Sequence, residues 1–173
     1  MRHFGKIVSL ALATAGAVSA YAWAQGSLAA GPFTAAQIEA GRTAYAANCA
    51  ACHRSDLDGS ADAPPMVGKP FMSNWGARSV HDYYRYVSTS MPYGRGGSLS
   101  DDTYAQIVSF ILAANGAKPG AIPLTKDTDA KVDTFASGVM PAGFATAAMV
   151  AANGAPARAG GRRARPPANP VLT

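Results

Sequence analysis

Hydrophobic positions recur at helical spacing in three stretches of the chain, and each stretch begins with a polar cap. The first opens at Thr34 with Gln37 three residues on, the pair that makes a capping box, and Phe33 and Ile38 stand at the flanking staple positions. Ile38, Gly41, Arg42 and Tyr45 then fall at i, i+3, i+4 and i+7, so one face of the predicted helix carries Ile, a bare glycine and Tyr. This helix runs into Cys49. A second begins near Ser79, with Asp82 at N3 and an apolar stripe of Val80, Tyr83, Tyr84 and Val87. It ends near Ser90, because Met91 precedes Pro92 and proline drives the residue before it out of the α region. The third has Leu99 at N′, Ser100 at the cap, and Asp101 and Asp102 in the first turn, where the helix dipole favours negative charge. Tyr104, Ile107, Val108, Ile111 and Leu112 sustain its apolar face until Asn115-Gly116 stops it.

Between these stretches the pattern breaks. Residues 54–70 read as a loop containing Gly59, Pro64, Pro65, Gly68 and Pro70, with Met66 and Val67 expected to be buried and Phe71 and Trp75 following. Residues 92–98, PYGRGGS, read as a flexible loop. No segment alternates convincingly like a strand, so the predicted fold class is all-α, with three or more helices. Periodicity fades after Pro119. Residues 117–140 are expected to pack loosely, and 141–173, rich in Ala, Gly, Pro and Arg, form a low-complexity tail with a weak helix over 144–152. The resulting organisation is a leader at 1–24, a linker at 25–32, a folded domain at 33–120 and a mostly irregular extension at 121–173.

Composition and charge narrow this picture. Arg2 and Lys6 precede an apolar, alanine-rich run from Ile7 to Tyr21, and Ala22-Trp23-Ala24 has the form of a cleavage site before Gln25. An uncleaved anchor is the alternative, but the run is short and broken by Gly16 and Ser19. The expected location is therefore the periplasm. The chain holds 15 Lys and Arg against 10 Asp and Glu. Two of the cations lie in the leader and four more, Arg158, Arg162, Arg163 and Arg165, in the tail, so the mature chain before the tail carries a net charge of −1. The basicity belongs to a tail and not to a binding face. That speaks against a nucleic-acid partner and leaves the tail or an uncleaved leader as the routes to a membrane. The chain is 49% apolar, but much of that is alanine, which buries little area. A domain this small calls for something that adds to its core.

Both cysteines fall in NCAACHRS, residues 48–55. Four chemistries compete for Cys49, Cys52 and His53. A thioredoxin-like pair wants its first thiolate at a helix N-terminus inside a βαβ pattern, whereas these thiols follow a helix and no such pattern surrounds them. A structural zinc site needs four ligands, and the cysteines with His53 and His81 fit no finger spacing. A disulfide closing a two-residue loop gains little. Covalent haem attachment accounts for all three residues: two thiols add to the two vinyl groups, and the adjacent imidazole lies beneath the iron. Haem also supplies the missing core. With His53 proximal, the remaining axial position has several candidates. Met66 reads as core at the haem edge, Met72 as loop core, Met140 and Met149 as lying beyond the domain, and His81 as facing solvent. Met91, just past a helix, extended before Pro92 and followed by a Gly-rich loop, is favoured as the distal ligand. A His/Met pair fills both axial sites and stabilises Fe(II), which points to an electron carrier and not an enzyme. The alternative is a sensing, ligand-binding or peroxidase-like haem protein with a labile sixth ligand.

These residues resemble the class I c-type cytochromes, and more narrowly the small bacterial cytochromes that accept electrons from pyrroloquinoline-quinone alcohol dehydrogenases. The resemblance covers residues 33–120 and rests on FTAAQIEAGRTAYAANCAACH, APPMVGKPFMSNWG and SMPYGRGGSLSDDTYAQIVSFILAANG. It implies a small cytochrome c fold wrapped around one covalently attached haem c. Cys49 and Cys52 would be its attachments, and His53 and Met91 the axial ligands of its iron. Met66 and Trp75 would line the pocket. Pro65 would do so too, and would support the proximal imidazole through its carbonyl. Gly41 and Phe110 would meet where the first and last helices cross. The implied partners are redox proteins: a periplasmic quinoprotein dehydrogenase as donor, and another cytochrome or a terminal oxidase as acceptor.

Overall fold

The computed structural model describes residues 28–61 and 63–144. The leader, the Arg-bearing tail, Met149 and all but the first residue of the helix expected over 144–152 lie outside them. Five helices follow one another: α1 (Ala35–Asn48), α2 (Ala50–His53), α3 (Gly68–Trp75), α4 (Val80–Ser90) and α5 (Asp101–Ala114), with a 3-10 turn at Val132–Thr134 near the end. The described residues include no strand beyond two isolated bridges, so the fold is all-α. None of the described helices is long and apolar enough to cross a membrane.

The caps act as their residue types dictate. The Thr34 hydroxyl accepts from the Gln37 N–H at 3.2 Å, and the Gln37 side chain accepts from the Thr34 N–H at 3.1 Å, completing the box. Ser79 and Ser100 cap α4 and α5 in the same forward sense, accepting from the N–H groups of Asp82 and Thr103. α1 packs chiefly against α5. Their close approach depends on Gly41, where a Cβ would overlap the Gln106 carbonyl oxygen and sit 2.9 Å from the Cβ of Phe110. The expected meeting of Gly41 and Phe110 is therefore present. α5 is the central element, with ten of its residues buried, a wider apolar surface than one stripe.

Two segments depart from the sequence reading. α3 forms where a loop running into Phe71 and Trp75 was expected. Its proline, Pro70, lies in the first turn, where the missing N–H has no intrahelical acceptor in any case, so the helix survives it. Residues 117–140 do not pack loosely. Leu124, Val132, Phe135 and Ala136 are all buried in the core. Their backbone is tied back by Leu124 N–H to the Gln37 side chain at 2.8 Å, Val132 N–H to the Arg78 carbonyl at 3.0 Å and Gly120 N–H to the Phe33 carbonyl at 2.7 Å. Irregular backbone with satisfied hydrogen bonds leaves no periodic signature, which is why the pattern faded there. The packed unit thus continues past residue 120. Met140 also packs against this core and does not stand clear of the domain, as does Phe144, stacked on Phe110 at 5.2 Å.

Candidate haem site

Between α2, α3 and α4 lies a cavity of about 290 Å³. His53 lines it from α2, Phe71 and Trp75 from α3, Tyr83 and Val87 from α4, and Met91 from just beyond α4. The loop before α3 contributes Pro64, Pro65 and Met66.

The His53 side is built locally. α1 breaks at Cys49, and a single further turn follows in which the Cys49 carbonyl accepts from the N–H groups of Cys52 (3.2 Å) and His53 (3.0 Å). This turn puts both cysteines and the histidine within one stretch of chain. The Tyr45 hydroxyl reaches forward from α1 to the Arg54 carbonyl at 2.9 Å, holding the turn's exit. Gly59, at φ +75, then lets the chain double back. A Cβ there would collide with the Ala63 carbonyl, and the Gly59 N–H reaches the His53 carbonyl at 3.2 Å. The reversal delivers the Pro64 carbonyl to 3.0 Å from His53 Nδ1. A carbonyl only accepts, so Nδ1 carries the proton and Nε2 is left with its lone pair free for a metal. The support expected from Pro65 thus comes from Pro64. The turn after Gly59 aims the carbonyl one residue earlier than expected, and Pro65 instead lines the cavity.

Neither cysteine is in a disulfide. Burial, and secondarily the neighbouring Cys52, push the Cys49 thiol up to about 12. A redox-active pair needs a lowered thiol pKa, so this environment does not suit thioredoxin-like exchange.

The Met91 side is built by distant elements. Met91 is the C-cap of α4, extended at φ −122 and ψ 150. Its N–H donates to the Val87 carbonyl at 3.0 Å, and its carbonyl accepts from the Tyr104 hydroxyl of α5 at 2.7 Å. The outer wall is aromatic. Trp75 packs against Tyr83 (4.8 Å between ring centroids) and Tyr86 (5.1 Å), with the Arg78 guanidinium 5.1 Å over the indole. Met66 and Met72 are half-buried against the core. His81 is exposed, its Nδ1 on the Lys126 carbonyl at 2.8 Å, clear of the cavity.

Residues 36–111, which contain this whole arrangement, match the family described as Cytochrome C oxidase, cbb3-type, subunit III. The segment is similar to a c-type cytochrome domain. A second similarity, 39% identity over 71 residues, is to the thiosulfate dehydrogenase of Stutzerimonas stutzeri (strain A1501). It covers 37% of this chain and 23% of that protein, so the chain spans about a quarter of the relative's length. No solved structure matches.

Cytochrome c domains bind haem c covalently, with its iron, and the residues around this cavity fit that group. A buried imidazole with a free Nε2 stands at one wall, two unpaired thiols lie in the same short turn of chain as that imidazole, and a thioether stands among the other lining groups. Tyr83 adds an independent sign. Its hydroxyl is buried without a hydrogen-bond partner and its ring lines the cavity. A phenol in that state calls for an acceptor, and bound haem offers polar substituents. Sequence reading took Tyr83 only as part of an apolar stripe. A tyrosine at a core position, whose hydroxyl must be paired, was the available signal.

Proposed function

We propose that this protein is an exported electron-transfer cytochrome c in which His53 and Met91 are the two axial ligands and Cys49 and Cys52 hold the haem. The observation that carries this reading is that His53 and Met91, from separate elements, line the same cavity. Bound haem c supplies an iron that takes up or releases one electron. The protein's part is to hold that iron's surroundings constant between the two states. Pro64 fixes the His53 ring, Tyr45 fixes the turn behind it, and Phe71, Tyr83 and Val87 keep water from the cavity. With haem bound, the Met91 thioether would favour Fe(II) and, together with His53, would leave no position for a substrate, which suits a carrier and not a catalyst. The exposed Tyr86 and the Trp75–Arg78 pair flank the cavity's outer side, where an electron could pass to a docked partner. We take the donor to be a periplasmic quinoprotein dehydrogenase and the acceptor another cytochrome or a terminal oxidase.

Met91→Ala in the haem-loaded protein tests the ligand assignment. The weak long-wavelength band that marks thioether sulfur on ferric iron should vanish. The reduction potential should fall by on the order of 0.1 V, within the ~0.8 V range that axial ligands command. An unchanged band would assign the sixth position elsewhere.

A further inference from the structure

The Tyr104 ring belongs to the apolar face of α5 and is buried, but its hydroxyl leaves the core to donate to the Met91 carbonyl at 2.7 Å. The Met91 side chain packs against the core, and the other hydrogen bonds that hold this residue run along its own chain: its N–H bonds to Val87 at 3.0 Å, and the loop after it returns to α4 through Gly97 N–H on the Ser88 carbonyl at 2.7 Å. Tyr104 is thus the tie from α5 to the methionine itself. Tyr84 of α4 provides a natural contrast. It lies edge-on to Tyr104 with centroids 6.4 Å apart. Its hydroxyl goes instead to Asp101, at 3.2 Å to Oδ1 and 3.3 Å to the carbonyl, joining α4 to the start of α5 without touching Met91.

We propose that Tyr104 is a positioning residue that keeps Met91 at the cavity and so sets how readily an outside ligand displaces it. This rests on the reading of Met91 as the distal ligand. In this proposal Met91 withdraws with its backbone swinging away from α5, which breaks the bond to Tyr104. The phenol then loses its acceptor. Without the hydroxyl there is no such bond to break, and the withdrawn state becomes easier to reach by the worth of one ordinary hydrogen bond, about fivefold in an equilibrium constant.

The experiment is an imidazole titration of the ferric, haem-loaded full chain, comparing the parent with Tyr104→Phe, Tyr84→Phe and Met91→Ala. Tyr104→Phe should bind imidazole about fivefold more tightly, while Tyr84→Phe binds it as the parent does. Equal tightening in both tyrosine variants would mean general loosening of the α4–α5 junction and overturn the proposal, as would no tightening in either. The two readings fail differently. A Met91→Ala spectrum identical to the parent's removes the ligand assignment, and this role with it. An altered Met91→Ala spectrum together with parent-like imidazole binding by Tyr104→Phe removes the role of Tyr104 alone. Should Tyr104→Phe fail to retain haem, Tyr104→Leu, which also lacks the donor, repeats the comparison.

Discussion

The two walls of the cavity that carry His53 and Met91 are made in opposite ways. On the His53 side, the thiols, the imidazole, the bracing Tyr45 and the supporting Pro64 all fall within 20 residues of sequence, and short-range hydrogen bonds fix them. On the other side, Met91 lies 38 residues beyond His53, and its carbonyl is held by a tyrosine from a different helix. A wall of local contacts needs little of the rest of the fold to be correct. A wall of distant contacts exists only once α4 and α5 are packed. The first should therefore keep its geometry under perturbation, and the second should give way first.

The most drastic way to probe this contrast is to remove the attachment chemistry from the local wall. The double variant Cys49→Ala/Cys52→Ala should carry no haem that survives denaturation, as read by haem staining of a denaturing gel and by the mass of the intact chain. Because the haem contributes to a core too small to stand comfortably alone, its helical content should also fall. Retention of covalent haem would show that the attachment lies elsewhere.

A smaller effect comes from the joint between the walls. Asn115, buried at the end of α5, accepts from Gly68 N–H at 3.0 Å through Oδ1, and through Nδ2 donates to the carbonyls of Met66 and Ile111, each at 2.9 Å. It pins the loop that bears Pro64 and Met66 to the helix that bears Tyr104. Asn115→Ala removes the partner of the Gly68 N–H and of the Met66 carbonyl and should cost about 1–3 kcal/mol in denaturant unfolding of the haem-loaded protein. Covalent haem should be retained. If stability is unchanged, the two walls are coupled by something other than Asn115.

Asn115 also shows where sequence reading stops. Next to Gly116 it signals a helix end, and that much was legible. That its side chain spans three backbone groups depends on which loop folds over the helix, which no local pattern encodes. The same limit explains the exchange of Pro65 for Pro64, since the carbonyl that faces His53 depends on where the chain turns at Gly59. The Thr34–Gln37 capping box, the Cys49–His53 motif and the Gly41–Phe110 crossing were readable, because each is a residue type doing local or volume-limited work; the box expected at Ser79 and Asp82 forms only its forward bond. The segment 117–140 was not, because its contribution is buried side chains on irregular backbone. Tyr83 and Tyr104 read as core from their spacing, and their rings are core. Their hydroxyls carry the site-specific information, and only the fold reveals where those point.

The smallest expected effect concerns which wall loosens in base. Burial first, and then the adjacent Asp101, push the Tyr84 phenol from its ordinary value of 10.0 up to about 12. In the unfolded chain this phenol ionises near 10, and in the folded protein not until about 12. Its contribution to stability is therefore complete below pH 10 and is lost as pH rises through about 12, because the unfolded state sheds the proton first. Tyr45, on the other wall, is held higher still, chiefly by burial, and so does not ionise within the same window. The tie between α4 and α5 should thus fail before the brace behind His53. Tyr84→Phe removes one ionisation from the distal side, so its unfolding free energy should decline less steeply than the parent's between pH 10 and 12, although the two proteins differ little near neutrality. Parallel alkaline slopes in denaturant titrations at several pH values would show that Tyr84 is not part of what loosens there.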